Sequence, residues 1–262
     1  MLALVSVAAV TQFSAPVYPE AQMTPEKSAV PVGIIAAMPS EARALGVSGP
    51  FNQIVELDDH TLLYVCGVGP ENARRATTAL LAAGAGGLVS WGIAGGLIAN
   101  LSPGTLLLAA SVVCADAAYE TDSDWVSRLS QRITSILQVS HQSIYSGGLL
   151  VSSAAEKKQL ADESGAVAVD MESGVIAEAA VAAGVPFVCI RVIADPASFS
   201  LPSTLGAAIN DDGFVSIELA LRALARRPGE IVSMLQLALH FRRATKGLAL
   251  ISRVVGPRLL GP

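Results

Sequence analysis

Short apolar runs alternate along the chain with stretches of helical period. VGIIAAM (32–38) is apolar throughout and predicts a buried strand. IVELDDHTLLYVCGVG (54–69) predicts a hairpin-like pair that turns at Asp58-Asp59 and ends on Gly67 and Gly69. ENARRATTALLAAGA (71–85) predicts a helix, with Ala73, Ala76, Leu80 and Leu81 on one side and Arg74 and Arg75 on the other. GLVSWGIAGGL (87–97) predicts a strand that runs into a glycine-rich turn, and GTLLLAASVVCAD (104–116) one or two strands. SDWVSRLSQRITSIL (123–137) is an amphipathic helix with Ser123 or Asp124 as its cap. SIYSGGLLVSS (143–153) predicts a strand, and EKKQLADESG a short helix stopped by Gly165. AVAVDMESGVIAEAAVAAGV (166–185) is a strand feeding a helix, and PFVCIRVIADPA (186–197) a buried strand with a polar end. ELALRALARRPGE and IVSMLQLALHFRRATKGLALISRVV close the chain as helices.

Strands that are continuous apolar runs, separated by helices, belong to mostly parallel sheets covered on both faces. The expected fold is therefore α/β. It is a single three-layer domain with a central mixed, mostly parallel twisted sheet flanked by helices. Residues 1–30 lack a period and are expected to form a flexible N-terminal extension. The α/β domain is expected over 31–227, and an amphipathic helical tail over 228–262. No Lys or Arg precedes the apolar run of MLALVSVAAVTQFSAPVYPEA, which favours an extension over an export signal. The long apolar runs are broken by Gly, Pro or polar residues, so none reads as a membrane span.

Composition narrows the function. The chain of 262 residues is 52% hydrophobic and 15% charged, enough to build a large core. A net charge of −5 argues against nucleic acid as the main partner, because phosphate backbones select clustered Lys and Arg. Cys66, Cys114 and Cys189 stand singly in apolar runs and are expected as buried thiols in a reducing, cytoplasmic compartment. His60, His141 and His240 are far apart and carry no metal-site spacing, so no metal is expected.

In α/β sheets, sites form at the carboxyl ends of strands. The polar residues there are Glu41 and Arg43, the GIAGG stretch, Asp170-Met171-Glu172, and Arg191 with Asp195. On adjacent strands, Glu41, Glu172 and Asp195 would converge on one crevice with Arg191. Such a cluster suits cleavage of a glycosidic bond. One acid protonates the leaving group, one carboxylate activates the attacker, and negative charge stabilises an oxocarbenium-like sugar. Glu172 stands at a helix start, where the dipole is expected to favour its ionised form. The alternative is that each acid is a helix cap or a solvated loop residue. Trp91 either lines a pocket or packs in the core, and Trp125 is expected at a domain or subunit contact. In the tail, Ile231, Met234, Leu235, Leu237, Ala238 and Phe241 share one broad face beside Arg242, Arg243, Lys246 and Arg253. That helix either packs on its own domain or a subunit, or lies on an anionic membrane.

GIIAAMPSEARAL, GVGPENARRATTALLAAGA, VSWGIAGGL and AVAVDMESGVIAEAAVAAGVPFVCIRVIADPA resemble successive motifs of the nucleoside phosphorylase and methylthioadenosine/S-adenosylhomocysteine nucleosidase superfamily. The likeness runs in order from about residue 32 to 197. The DMES spelling, ADPASFSLP and RRPGEIVSMLQLALHFRRATKGL resemble the hopanoid-biosynthesis-associated phosphorylases. The resemblance implies release of adenine from a 5′-modified adenosine, with adenosylhopane as the first choice. Methylthioadenosine, S-adenosylhomocysteine or an ordinary purine nucleoside is the alternative substrate, and a nucleoside-binding protein without turnover is the non-enzyme reading. It further implies Glu41 as the group activating the nucleophile, Met171 and Glu172 on the ribose, Asp195 as the acid for purine N7, and Arg191 near both. Gly92, Ala94, Gly95 and Gly96 would let backbone approach the sugar and base.

The chain also departs from those families. Ile93 replaces a hydroxyl residue, Ser90 a phosphate-binding arginine, and Ala194 a serine beside the acid. No aromatic stands near Ala155 or Glu156 to stack on the base, which leaves the backbone around Val151 and Ser152 for purine recognition. Arg43, or else Arg74 or Arg75, is the candidate cation for phosphate, so water and phosphate both remain open as nucleophile. No cofactor is implied beyond inorganic phosphate as a co-substrate. The implied partners are a small or lipid-linked nucleoside and further copies of the chain in a homo-oligomer. The implied place is the cytoplasm, with peripheral contact at the inner face of the membrane.

Overall fold

The computed structural model describes residues 30–256 and 261, except 135, 211 and 215. The extension expected over residues 1–30 lies, apart from Val30, outside the described residues. Within them, eleven strands join in one mixed sheet. The first four strands are β1 (Val32–Ala36), β2 (Ile54–Asp58), β3 (Thr61–Val65) and β4 (Gly87–Gly96). Next come β5 (Leu106–Leu108), β6 (Ser111–Val113), β7 (Ala118–Glu120) and β8 (Val139–Ser140). The last are β9 (Ile144–Ser146), β10 (Ala168–Asp170) and β11 (Phe187–Asp195). The helices are α1 (Pro39–Ala44), α2 (Pro70–Ala82), α3 (Ser123–Ile133), α4 (Ala154–Ser164), α5 (Ser173–Ala183), α6 (Ile217–Arg226) and α7 (Ile231–Val255).

β4 is the hub. It pairs in parallel with β1 over Gly87–Trp91 and with β11 from Leu88 onward. Its last residues, Gly95 and Gly96, turn to an antiparallel pairing with β10. Period-two alternation explains why both faces are apolar. Ile34, Val89, Trp91, Val188, Ile190 and Val192 pack with residues of α1, α3 and α7. Ile35, Leu88, Phe187, Cys189 and Ile193 pack with residues of α2 and α5. The result is helix, sheet, helix, as the apolar strand runs predict.

Several local expectations are corrected. GIAGG is not a turn, because β4 continues through Gly96 while its glycines change neighbours. The 143–153 strand shrinks to Ile144–Ser146, and Val151–Ser153 instead lead into α4. The cap of α3 is Asp122, whose carboxylate accepts from Trp125 N at 2.7 Å, rather than Ser123 or Asp124. Trp125 makes no surface contact. It is fully buried in the core layer under α3 and α7.

α7 belongs to this core. Ala244, Leu248, Ile251 and Val255 are buried against the sheet. Gly247 permits the approach, since a Cβ there would lie 3.1 Å from Val192 Cγ1. The prediction is that Leu248→Ala lowers stability by about 2–5 kcal/mol, as a buried leucine truncation does. Leu235→Ala, at a position 62% exposed, is expected to change it by less than about 0.5 kcal/mol. Urea unfolding midpoints of the two variants check this.

Candidate active site

The carboxyl ends of β1, β4, β10 and β11 bring the charged residues together. Glu41 sits in the first turn of α1, directly after β1. Its Oε2 accepts from Ala37 N and Met38 N, both at 2.9 Å, and its Oε1 from Ile93 N at 2.9 Å. Trp91 Nε1 donates to the Glu41 carbonyl at 3.1 Å, so Trp91 supports the site from the core and does not line it. Burial pushes the Glu41 carboxyl up, while Arg191 and the backbone donors pull it back.

Arg191 lies in the middle of a strand that is buried along its whole length. Its Nη2 reaches Asp170 Oδ2 at 2.7 Å, Ser90 Oγ at 2.7 Å, Ser173 Oγ at 3.1 Å and Glu172 Oε2 at 3.8 Å. Burial works against the guanidinium charge, but Asp170, Glu172 and Glu41 outweigh it and hold the group protonated. Gly92 lies directly beneath. A Cβ there would overlap Arg191 Nη1 and Glu41 Oε1, so both charged groups use space that only glycine leaves.

Glu172 occupies the cap position of α5 yet makes no cap bond. Asp170 Oδ1 takes Ser173 N at 3.2 Å instead. Glu172 Oε1 accepts from Gly69 N at 2.9 Å, the last residue before α2. The expectation that the helix start favours an ionised Glu172 is therefore corrected. Burial dominates and pushes the carboxyl up to about 7, against Arg191 and with Asp170 adding to the rise.

Asp195 ends β11 and is 5% exposed. Its partner is Lys157 from α4, whose Nζ donates to Oδ2. Arg191 is expected beside Asp195, but its contacts lie with Asp170 and Glu172. Burial raises the Asp195 carboxyl, and the Lys157 ammonium opposes that rise.

One cavity of about 520 Å³ joins these groups. Glu41, Ile93, Ala94, Gly95, Asp170, Met171, Glu172 and Asp195 contribute to its lining. Leu150, Leu201, Leu205, Ile209, Met234, Leu237 and Phe241 supply most of its apolar lining. Several expected residues stay out of the lining, among them Gly92 and Arg191, which back it from within the sheet. Arg43 is exposed on the outer side of α1. Val151 packs in a small cluster with Leu97 and Val169. Ser152 is occupied, its N–H by Glu156 and its carbonyl by Leu201 N. Arg74 pairs with Glu178, and Arg75 with Asn72.

Sequence reasoning missed Lys157 and the apolar lining. The signal for Lys157 was faint: a cation near a helix N-terminus opposes the dipole and calls for a compensating partner. Among the described residues, no cluster of His, Cys, Asp or Glu suits a metal ion. No described helix is long and apolar enough to cross a membrane.

The raised Glu172 carboxyl has a measurable consequence. Its folded value lies above the ordinary 4.5, so its stabilising contribution is complete below pH 4.5 and is lost as pH rises through about 7. Glu172→Gln, which still accepts from Gly69 N, removes that loss. Its melting temperature is expected to exceed the wild-type value at pH 8 and not at pH 4.5, as calorimetry at the two pH values checks.

The model of the phosphorylase superfamily matches residues 31–227. No curated protein matches the chain. Solved structures show the same fold. The methylthioadenosine/S-adenosylhomocysteine nucleosidase of Helicobacter pylori is 19% identical with a TM-score of 0.63, over 86% of this chain and 97% of that one. The futalosine hydrolase of the same organism is 19% identical with a TM-score of 0.64, over 86% and 96%. The nucleosidase of Neisseria meningitidis, in complex with methylthio-immucillin-A, is 19% identical with a TM-score of 0.64, over 87% and 97%. With a family match across most of its length and this fold, the chain belongs to the phosphorylase superfamily.

Proposed function

We propose that the protein cleaves the N-glycosidic bond of a 5′-modified adenosine and releases adenine. The substrate carries a large apolar 5′ group, with adenosylhopane as first choice. The observation that carries this reading is a cavity whose lining combines acids with large apolar side chains. Three buried carboxyl groups, all raised by burial, share its lining with leucine, isoleucine, methionine and phenylalanine side chains. A ribose set among the acids would direct its 5′ substituent along the apolar side chains, where burial of hydrocarbon is favourable.

Asp195 gives its proton to purine N7 as the C1′–N9 bond breaks and its electron pair enters the base. Glu172, with Met171, holds the ribose hydroxyls. Glu41 takes a proton from the attacking water, whose oxygen bonds to C1′. Arg191 fixes Glu172 and offsets the charge of the acids. Water is favoured over phosphate because no Lys or Arg lines the cavity among the described residues, and Arg43, Arg74 and Arg75 stand outside it. A phosphate dianion beside these carboxylates would lack a cation.

The surface near the cavity supports a lipid-linked substrate. Ile231, Val232, Leu235 and Leu239 of α7 are exposed, as is Leu149. Arg242, Arg243 and Lys246 follow on the same helix. Such a surface suits shallow contact with an anionic bilayer.

Adenine release from adenosylhopane, methylthioadenosine and adenosine, each with and without phosphate, tests the reading. Release from the hopanoid without phosphate is expected. Dependence on phosphate overturns the water assignment, preference for methylthioadenosine overturns the lipid substrate, and no release from any of the three points to a binding protein. Asp195→Asn is expected to lower kcat by about 10²–10⁴-fold, the usual contribution of a positioned acid. In vesicle flotation, Leu235→Glu with Leu239→Glu is expected to abolish binding to anionic liposomes. Unchanged flotation would remove the membrane contact.

A further inference from the structure

Lys157 is 0% exposed, the most deeply buried cation beside Arg191 among the described residues. Its Nζ donates to Asp195 Oδ2, to Phe199 O at 2.8 Å and to Pro196 O at 3.2 Å. An ammonium carries three donors, and here all three are used. The contact ties α4 to the end of β11 and the segment after it. It also leaves the two oxygens of Asp195 unlike each other. Oδ2 accepts from the ammonium, whereas Oδ1 takes no described hydrogen bond, and the residue lines the cavity. The carboxyl rests on Gly95, where a Cβ would lie 3.4 Å from Oδ2 and 3.6 Å from Oδ1.

We propose that Lys157 is the positioning residue that makes Asp195 a directed acid, confining the transferable proton to Oδ1 and stabilising the carboxylate left behind when that proton moves to the purine. The inference rests on the assignment of Asp195 as the acid in the reading above. In the step itself, the C1′–N9 electron pair passes into the base, N7 takes the Oδ1 proton, and the new carboxylate charge forms against the Lys157 ammonium, which keeps its three protons. A neutral side chain could hold the carboxyl in place but could not offset that charge on a carboxylate buried from solvent.

Charge and burial act in opposite directions on this acid. Burial raises the Asp195 carboxyl, and Lys157 lowers it. The other titratable group facing it is His240 of α7, whose Nδ1 is buried without a hydrogen-bond partner and whose ring stands edge-on to Phe199 at 5.1 Å. Glu41 and Glu172 line the same cavity, and Arg191, on the same strand, is bound to Asp170. Removing the ammonium therefore leaves burial unopposed by its largest counterweight. Asp195 should then hold its proton to higher pH and release it less readily to the substrate.

Lys157→Met and Lys157→Gln delete the charge, the second with a donor retained, and Lys157→Arg keeps the charge. Two readouts are taken on each variant: kcat and KM against pH, and the Asp195 carboxyl titration followed by infrared difference spectroscopy against Asp195→Asn. In the charge-deleted variants the titration midpoint and the alkaline limb of kcat are expected to move up together by at least about one pH unit. The plateau of kcat is expected to fall at least about ten-fold with KM changed far less, and Lys157→Arg to restore the midpoint. A folded Lys157→Met or Lys157→Gln protein whose Asp195 midpoint stays at the wild-type value would reduce Lys157 to a structural tie and sink the proposal. The titration needs no turnover. A shifted midpoint in a protein that cleaves no nucleoside would overturn the proposed function and leave the Lys157–Asp195 linkage standing.

Discussion

The buried charge of Arg191 is the constraint around which the rest is arranged. A guanidinium in the middle of an otherwise apolar strand is costly unless opposite charge and hydrogen-bond acceptors meet it. Asp170 meets it from β10, Ser90 from β4, Ser173 and Glu172 from the start of α5, and Glu41 from α1. These partners come from separate parts of the chain, so the ion cluster forms only when β1, β4, β10 and β11 are all in register. Fold and site are thus specified by the same contacts. A change that loosens Arg191 leaves an unpaired charge in the core and misplaces two candidate catalytic carboxyls at once.

Burial also decides the protonation chemistry. Glu41, Glu172 and Asp195 are each moved up from their ordinary values by loss of water; Arg191 pulls the first two back and Lys157 the third. Three acids in one cavity are thereby shifted in the same direction, and Glu172 is brought to about 7, where protons can be given and taken at neutral pH. Helix dipoles play a lesser part, as Glu172 shows by making no bond to the helix it begins.

The layers were legible in the sequence because continuous apolar strands and helices of small residues leave few other ways to bury both faces. The acids were legible because each follows an apolar run directly. Lys157 was not, since a lysine in a polar helix such as EKKQLADESG reads as solvated, and only the approach of the segment after β11 buries it. Arg43 failed for the converse reason. Two positions past Glu41, it falls on the opposite side of a short helix and meets solvent. The glycines of β4 read as a turn because local propensity carries no record of Arg191 and Glu41 needing the space above Gly92. The tail read as one amphipathic face, yet its first half lines the cavity and its second half covers the sheet.

That division along α7 has a consequence for how such a protein can change. The half from Ala244 to Val255 carries the packing, while the half from Met234 to Phe241 shapes the chamber and is held by fewer buried contacts. Substitutions in the first half can enlarge, narrow or polarise the chamber at small thermodynamic expense. The acids lie on other elements and are untouched by them. The shape of the chamber and its cluster of acids are therefore carried by separate segments, and one can diverge while the other is kept.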